Sequence, residues 1–312
     1  YTVKRGIYMK RKSGLKTLNI ILSLVLVVCI VATVVMVSKP LPVESTATEE
    51  NTGDTAVIEA FAAGTYGGKE FKSIEDVVNY YNECYAYTKT LTAEYDENGE
   101  AKTFYKLVGD EYLNISNLLV EGKSNSMLDG LVPGIAGGLF KGNVIGLSPS
   151  GSRTPGSDTR ADGAMDCSVS HLTADDVLEA NVVDSGNNKI TITIQPKAAI
   201  LSMPGEDSQG RFFNSLGDIS SVVESIDVLS FSSGTINDNF VVNYKGGTGK
   251  VVIDTTTNEI VEADFEMKVH IDVSHANVAV LKDKSASLDI SYTNHYPADD
   301  DYLMEKKQIT RK

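Results

Sequence analysis

The C-terminal third of the chain alternates strictly between apolar and polar residues. From Ala263 to Val273 every odd position is apolar and every even position is an acid, a lysine or a histidine. Leu288, Ile290 and Tyr292 continue the same period of two. Because successive side chains of a β-strand point to opposite faces, this pattern predicts strands with one buried face and one solvated face.

Helical patterns precede these strands. Ser73 followed by Asp76 has the form of a helix N-terminus, and apolar residues recur every three or four positions from there to Tyr85. The spacing predicts an amphipathic helix that ends near Thr90. Thr173 with Asp176 has the same form and predicts a short helix over residues 173–180, and a third helix is expected over 211–226.

Turn-forming residues predict two β-hairpins. Residues 96–99 (DENG) and residues 185–188 (SGNN) each lie between two runs with strand character. A strand over 112–120 is expected to join the first hairpin. Together the elements predict an α+β fold, in which an antiparallel, one-sided and curved β-sheet is covered by a few helices.

One segment is apolar enough to cross a membrane. Leu18 to Val37 contains no charged residue and, as a helix of twenty residues, would be about 30 Å long, which matches the hydrocarbon core of a bilayer. Lysines and arginines precede it without any acid, so the positive-inside rule predicts a cytoplasmic N-terminus and an extracellular C-terminal domain. An uncleaved single-pass anchor is expected, with a cleaved signal as the alternative, because the segment is longer than a usual signal peptide and lacks a small-x-small cleavage site.

These features divide the chain into five regions. Met9, directly before a basic run, is the expected start of translation. The expected regions are a basic cytoplasmic stub (1–17), a transmembrane anchor or uncleaved signal (18–37), a flexible tether rich in Pro, Ser, Thr and Glu (38–71), an extracytoplasmic α+β domain (72–298) with a subdomain break at 148–166, and a charged tail (299–312).

The charge balance limits the partners. Six of the 28 lysines and arginines precede Val37, so the exported part carries 22 cations against all 42 acids, a net charge of −20. A surface this acidic does not attract phosphate backbones, so no nucleic acid is expected as a partner.

Catalytic and metal motifs are weak. Residues 246–250 (GGTGK) lack the spacer and the Ser or Thr of a phosphate loop, and a hairpin turn is expected there. His270 and Asp272 share one strand face while His275 has the opposite parity, so we expect a solvated strand and no metal site. No catalytic residue and no cofactor is predicted, although a carboxylate pair for hydrolysis stays an alternative among so many acids.

Two cysteines lie outside the apolar segment. Cys84 and Cys167 form a disulfide candidate in an exported domain, and two buried reduced thiols are the alternative.

Residues 127–145 are unusual because they combine large apolar side chains with five glycines and a proline. The segment is too apolar for an ordinary loop and too broken for a stable helix, so it is a candidate cover over a ligand cleft, with simple core filling as the alternative. The candidate ligand-binding residues are Met127, Leu128, Leu131, Val132, Ile135, Leu139 and Phe140.

The basic start, the single apolar segment, the Glu/Thr-rich tether and the strand-turn-strand over 251–267 resemble uncharacterised membrane-anchored envelope proteins of Gram-positive, clostridia-like bacteria. In architecture, the expected sheet with helices in its concave face is similar to the half-barrels of lipoprotein- and lipid-carrier domains. The weak catalytic motifs and the apolar, glycine-broken segment 127–145 favour a membrane-tethered, non-catalytic module that binds an apolar ligand such as a lipid, or an envelope protein. An envelope hydrolase and a structural spacer or adhesin are the alternatives.

Overall fold

The structure is a computed structural model that describes residues 53, 55–104, 107–124, 146–151, 170–215, 217, 229–278 and 281–298. The predicted stub, anchor and charged tail lie outside these residues, as do residues 38–52 and 54 of the predicted tether. Within the described ranges, no helix has the length and apolar character needed to span a bilayer.

The described chain contains fourteen strands, three α-helices and one 3-10 helix. The strands are β1 (Gly64–Tyr66), β2 (Lys69–Phe71), β3 (Ala93–Tyr95), β4 (Ala101–Phe104), β5 (Asp110–Val120), β6 (Lys123–Ser124), β7 (Val177–Gly186), β8 (Lys189–Pro196), β9 (Ala199–Ile200), β10 (Leu229–Phe231), β11 (Phe240–Tyr244), β12 (Thr248–Asp254), β13 (Glu259–Val278) and β14 (Leu281–Tyr296). The helices are α1 (Ile74–Thr90), α2 (Ser208–Phe212) and α3 (Ile236–Asn239), and the 3-10 helix spans Ala174–Asp176.

The main sheet has ten strands and is built on the long pair β13 and β14. β14 lies along one edge of β13, and β12, β11 and β10 follow one another along the other edge. β8 and β7 extend the sheet beyond β12, β9 pairs with β11, and β5 and β6 extend it beyond β14. All of these pairs are antiparallel, so the α+β class with an antiparallel sheet is confirmed.

Alternation along β13 separates the two faces of the sheet as the sequence predicts. Ala263, Phe265, Met267 and Val269 are buried, whereas Asp264 and the other even positions are more exposed. We call the side with the buried residues the inner face and the opposite side the outer face.

Helix α1 covers part of the inner face. Its N-terminus has the predicted capping box, in which the Ser73 hydroxyl accepts from the Asp76 amide and the Asp76 carboxylate accepts from the Ser73 amide at 3.1 Å. The buried side of α1 packs against β13, β7 and β2. The helix is therefore an amphipathic cover, as its spacing predicts.

Several local predictions were wrong. β3 and β4 form the predicted hairpin but make a separate two-stranded sheet, and β5 joins β14 instead. The short helix predicted over 173–180 stops after one 3-10 turn, since Val177 already begins β7. α2 ends at Phe212 and the next residue is extended, so residues 213–215 are not helical. Residues 64–71, which the sequence placed in the tether, form the hairpin of β1 and β2.

Residues 245–247 do not close a hairpin. β11 and β12 pair with successive parts of the same edge of β13 and not with each other, so residues 245–247 continue along that edge, where the Lys245 amide donates to the Lys268 carbonyl at 2.9 Å. A Cβ on Gly247 would lie 2.4 Å from the carbonyl oxygen of Glu266, and Gly247 has a φ of +86°. Glycine is therefore required at this position because the backbones of the link and of β13 come too close for a side chain, and because φ is positive. A hairpin turn is not the reason.

Candidate functional site

The best-formed region on the inner face is an aromatic cluster between α1 and the sheet. The Phe212 ring lies 5.7 Å from the Tyr81 ring, 5.0 Å from the Phe213 ring and 5.4 Å from the Phe265 ring, measured between centroids. Gly249 lies beneath Phe212, where a Cβ would be only 2.4 Å from Cζ of that ring. The cluster fixes α2 on the sheet and fills this part of the inner face.

Two connecting segments converge on α1 beside this cluster. The Asn82 amide donates to the Leu172 carbonyl at 2.7 Å. The Tyr85 hydroxyl donates to the Pro149 carbonyl, and the Lys89 ammonium donates to the Gly151 carbonyl at 3.0 Å. α1 thus positions residues 146–151 and 170–172 as well as covering the sheet.

Two buried amide oxygens border the aromatic cluster. Gln209 Oε1 and Asn294 Oδ1 have no hydrogen-bond partner in the described part of the chain. Their amide nitrogens are used, since Gln209 donates to the Lys197 carbonyl at 2.8 Å and Asn294 donates to the Asp110 carbonyl at 3.0 Å. The two oxygens are acceptors that a hydroxyl or an N–H group could fill.

A diagonal row of apolar side chains crosses the inner face beyond the aromatic cluster. The row runs across β5, β14, β13 and β11. Ile115 of β5 is opposite Ile290 of β14, and Leu288 of β14 is opposite Ile271 of β13. Val273 of β13 is opposite Phe240 of β11. Its partly buried members, which we call the inner-face patch, are Leu113, Ile115, Phe240, Val273 and Leu288.

The inner-face patch differs from the region under α1. Phe265, Met267 and Tyr244 are at most 3 % exposed, whereas the patch residues keep intermediate exposure. Apolar side chains with incomplete cover are the part of this face on which an apolar ligand gains most by binding.

The predicted cover segment cannot be placed against this patch. Met127, Leu128, Leu131, Val132, Ile135, Leu139 and Phe140 all lie outside the described residues. The described residues on either side of the segment are held by β5 and by the residues just before it: β6 pairs with Leu119 and Val120, and Gly146 bridges Val108. The assignment of these seven residues as ligand-binding stays a prediction.

The histidines of the last two strands lie on the outer face and pair with aspartates. His270 Nδ1 is 2.5 Å from an oxygen of Asp289, and its Nε2 is 3.2 Å from an oxygen of Asp272. His275 occupies a bulge at φ +52°, and its Nδ1 is 2.7 Å from an oxygen of Asp283. The bulge therefore exists, but it directs His275 to Asp283 and not towards His270 and Asp272. Within the described ranges, no group of three ligand-type side chains is arranged to hold a metal ion.

The shifted carboxyl groups are turn and cap residues. The pKa of Asp184 is lowered by hydrogen bonds from the Gly186 and Gly67 amides, and that of Asp238 by the Thr235 amide and hydroxyl. The pKa of Asp254 is lowered by Thr256, and that of Asp283 by Ser232 and His275. A general acid needs the opposite shift, a raised pKa, so none of these four groups has the shift expected of a general acid.

Cys84 lies within the core at the centre of α1. It is buried and has a free thiol, and burial raises the pKa of this thiol to about 12. Burial likewise raises the pKa values of Tyr80 and Tyr81 on the same helix. Cys167 lies outside the described residues, so its pairing with Cys84 stays a prediction.

Comparison with protein families, curated proteins and solved structures finds no match to this chain.

Proposed function

We propose that this chain is a membrane-tethered extracytoplasmic binding module, without catalytic activity, that holds the acyl chain of a lipid against the inner-face patch. The tether and the location follow from the apolar segment Leu18 to Val37 and the cations that precede it. The observation that carries the binding function is the incomplete burial of five apolar side chains on one face of the sheet.

A curved sheet supports this function, because curvature turns the inner face into a cleft. β13 contains twenty residues, and its pairing with β14 shifts register between Val273 and Ala276. β5 has a second irregularity at Asn117, which has a φ of +50°. Bulges of this kind bend a strand and increase its twist, so the sheet is proposed to curve around the patch.

The chemistry of the patch fits the acyl chain of a lipid. Its five side chains are all apolar and each keeps intermediate exposure, so an acyl chain that covers them removes apolar surface from water.

The test uses a photoreactive fatty acid with the full chain in lipid nanodiscs. Mass spectrometry of the cross-linked peptides should locate the label on β5, β13 or β14 at the patch. Ile115→Asp places a charge in the patch and should reduce this labelling by about tenfold, because burying a carboxylate against an acyl chain is unfavourable.

Asn114→Asp is the matched control. Asn114 is the preceding residue of β5 and is exposed on the outer face, so the same acidic residue there should leave labelling unchanged. Melting curves of both variants show whether the domain has folded. Labelling confined to Leu18 to Val37, or equal in the two variants, would contradict the proposed ligand site.

A further inference from the structure

The chain approaches the domain along the outer face of the sheet, as a segment that we call the strap (residues 55–61). At Gly53 the backbone passes beside the link between β11 and β12, where a Cβ would lie 2.9 Å from the Gly246 nitrogen. The strap then crosses β8 and β7 before β1 begins at Gly64.

Gln195 holds the middle of the strap. Its Oε1 accepts from the Val57 amide at 2.8 Å, and its Nε2 donates to the Thr55 carbonyl at 3.0 Å. Gln195 lies on β8 between two residues that face inward, so its side chain is on the outer face, yet it has no solvent exposure. The strap is what buries it.

The other end of the strap is held by β7. Glu179 Oε1 accepts from the Phe61 amide at 3.1 Å, and the Asn181 amide donates to the Ala60 carbonyl at 3.5 Å. The Phe61 side chain is partly buried against the core, which makes it the firmest point of the segment.

The strap is held weakly compared with a strand. No backbone-to-backbone hydrogen bond joins residues 55–61 to the rest of the described chain, and Val57 is 60 % exposed. Hydrogen bonds between side chain and backbone contribute little net free energy because water replaces them. Fixing seven backbone residues, by contrast, costs conformational entropy at each one.

We propose that residues 55–60 undock from the outer face as a unit, hinged at Phe61, while the sheet stays folded. When Gly53 also leaves the link between β11 and β12, undocking transfers these six residues to the tether and lengthens its reach by about 20 Å when they are extended. This consequence rests on the proposed membrane anchor, whereas the undocking itself does not. The strap is thus a length switch that sets how far the binding domain stands from the bilayer.

Hydrogen exchange of the full chain in detergent, read by mass spectrometry, tests the switch. In the unmodified chain the peptide that covers the strap should exchange faster than peptides of β8 and β13, at a rate that does not change with low denaturant. That behaviour is the signature of local opening. Gln195→Ala should raise the exchange of the strap peptide by about fivefold to tenfold and leave β13 unchanged.

Val57→Pro keeps Gln195 and removes the Val57 amide hydrogen that is donated to it. This variant replaces Gln195→Ala in the test if Gln195→Ala does not fold, and the exchange is then read on the remaining amides of the strap. Ala56→Pro is its control, because no hydrogen bond of the Ala56 amide is lost. Strap exchange as slow and as denaturant-dependent as that of β13 would overturn the proposal, as would equal exchange in the Val57 and Ala56 variants. A cleaved N-terminus would show as missing peptides before residue 38 and would count against the anchor alone.

Discussion

At the scale of single residues, the packing of the inner face depends on Gly249, whose lack of a side chain leaves room for an aromatic ring. Gly249 and Phe265 are directly opposite each other on β12 and β13, and the Phe212 ring occupies the space above the glycine. α2 is also held by hydrogen bonds from Ser208 and Gln209 to the Lys197 carbonyl and by the ion pair of Arg211 with Asp176, and the Phe212 ring adds a close contact with the sheet.

Gly249→Ala should therefore destabilise the domain. The new Cβ would lie 2.4 Å from Cζ of Phe212 and 2.7 Å from Cδ1 of Phe265, and both rings are buried. Overpacking of this kind costs about 1–3 kcal/mol, which chemical denaturation of the full chain would measure.

Lys250→Ala is the control for this substitution. Lys250 is the next residue of β12 and is exposed on the outer face, so its loss should change stability by less than about 0.5 kcal/mol. Equal stability of the Gly249 variant and the original chain would mean that Phe212 does not pack over this glycine.

Sequence reasoning found some of these residues and missed others. The alternation along β13 and β14 identified Val273 and Leu288 as inward-facing, because a period of two is a local property of the sequence. The sequence predicts a helix over 211–226 that includes Phe212, whereas α2 ends at Phe212, whose ring packs on Phe265 of a distant strand. Gln195 gave no signal, since its partners are backbone groups of a segment more than a hundred residues away.

At the scale of the elements, local pairings were predictable and distant ones were not. The hairpin of β7 and β8 and the capping box of α1 are encoded by adjacent residues. The placement of three strands in succession along one edge of β13 depends on strand length and on bulges, which the sequence does not express as a motif.

Asp184 links two hairpins and gives a pH prediction. Its carboxylate accepts from the Gly186 amide at 2.9 Å within the turn between β7 and β8, and from the Gly67 amide at 3.0 Å in the turn between β1 and β2. These bonds lower its pKa below the ordinary value of 3.8. Its stabilising contribution is therefore complete above that value and is lost as the pH falls through the lowered pKa.

Asp184→Ala should consequently be less stable than the original chain near pH 6, and the two should converge as the pH falls below 3.8 and through the lowered pKa of Asp184. Thermal unfolding across this range is the measurement. Glu59→Ala, in the exposed strap, is a control that should leave the pH dependence unchanged. A stability difference that persisted unchanged to the lowest pH would show that the Asp184 side chain acts through packing and not through its charge.

At the scale of the whole molecule, the proposal assigns different roles to two unequal parts of the chain. The described domain is sheet-based, whereas the apolar segment and the basic residues before it supply the proposed membrane attachment. The sequence alone predicts such a segment, because bilayer thickness fixes the length of an apolar helix. The sequence predicts the proposed ligand site only in part, because partial burial of Ile115 or Phe240 depends on which other elements cover them.

Membrane attachment gives the last prediction. The full chain expressed in a bacterial host should remain in the membrane pellet after alkaline carbonate extraction, and external protease should digest its C-terminal domain. Two lysines introduced at Val27 and Ile30 should release the chain or block its export, because each charge at the centre of a spanning helix costs about 3 kcal/mol on insertion scales. Two lysines introduced at Thr46 and Thr48, in the tether, carry the same charge and should leave the chain in the pellet. Recovery of the unmodified chain in the soluble fraction would contradict the anchor, while binding at the inner-face patch and undocking of the strap would still stand on the structure of the domain.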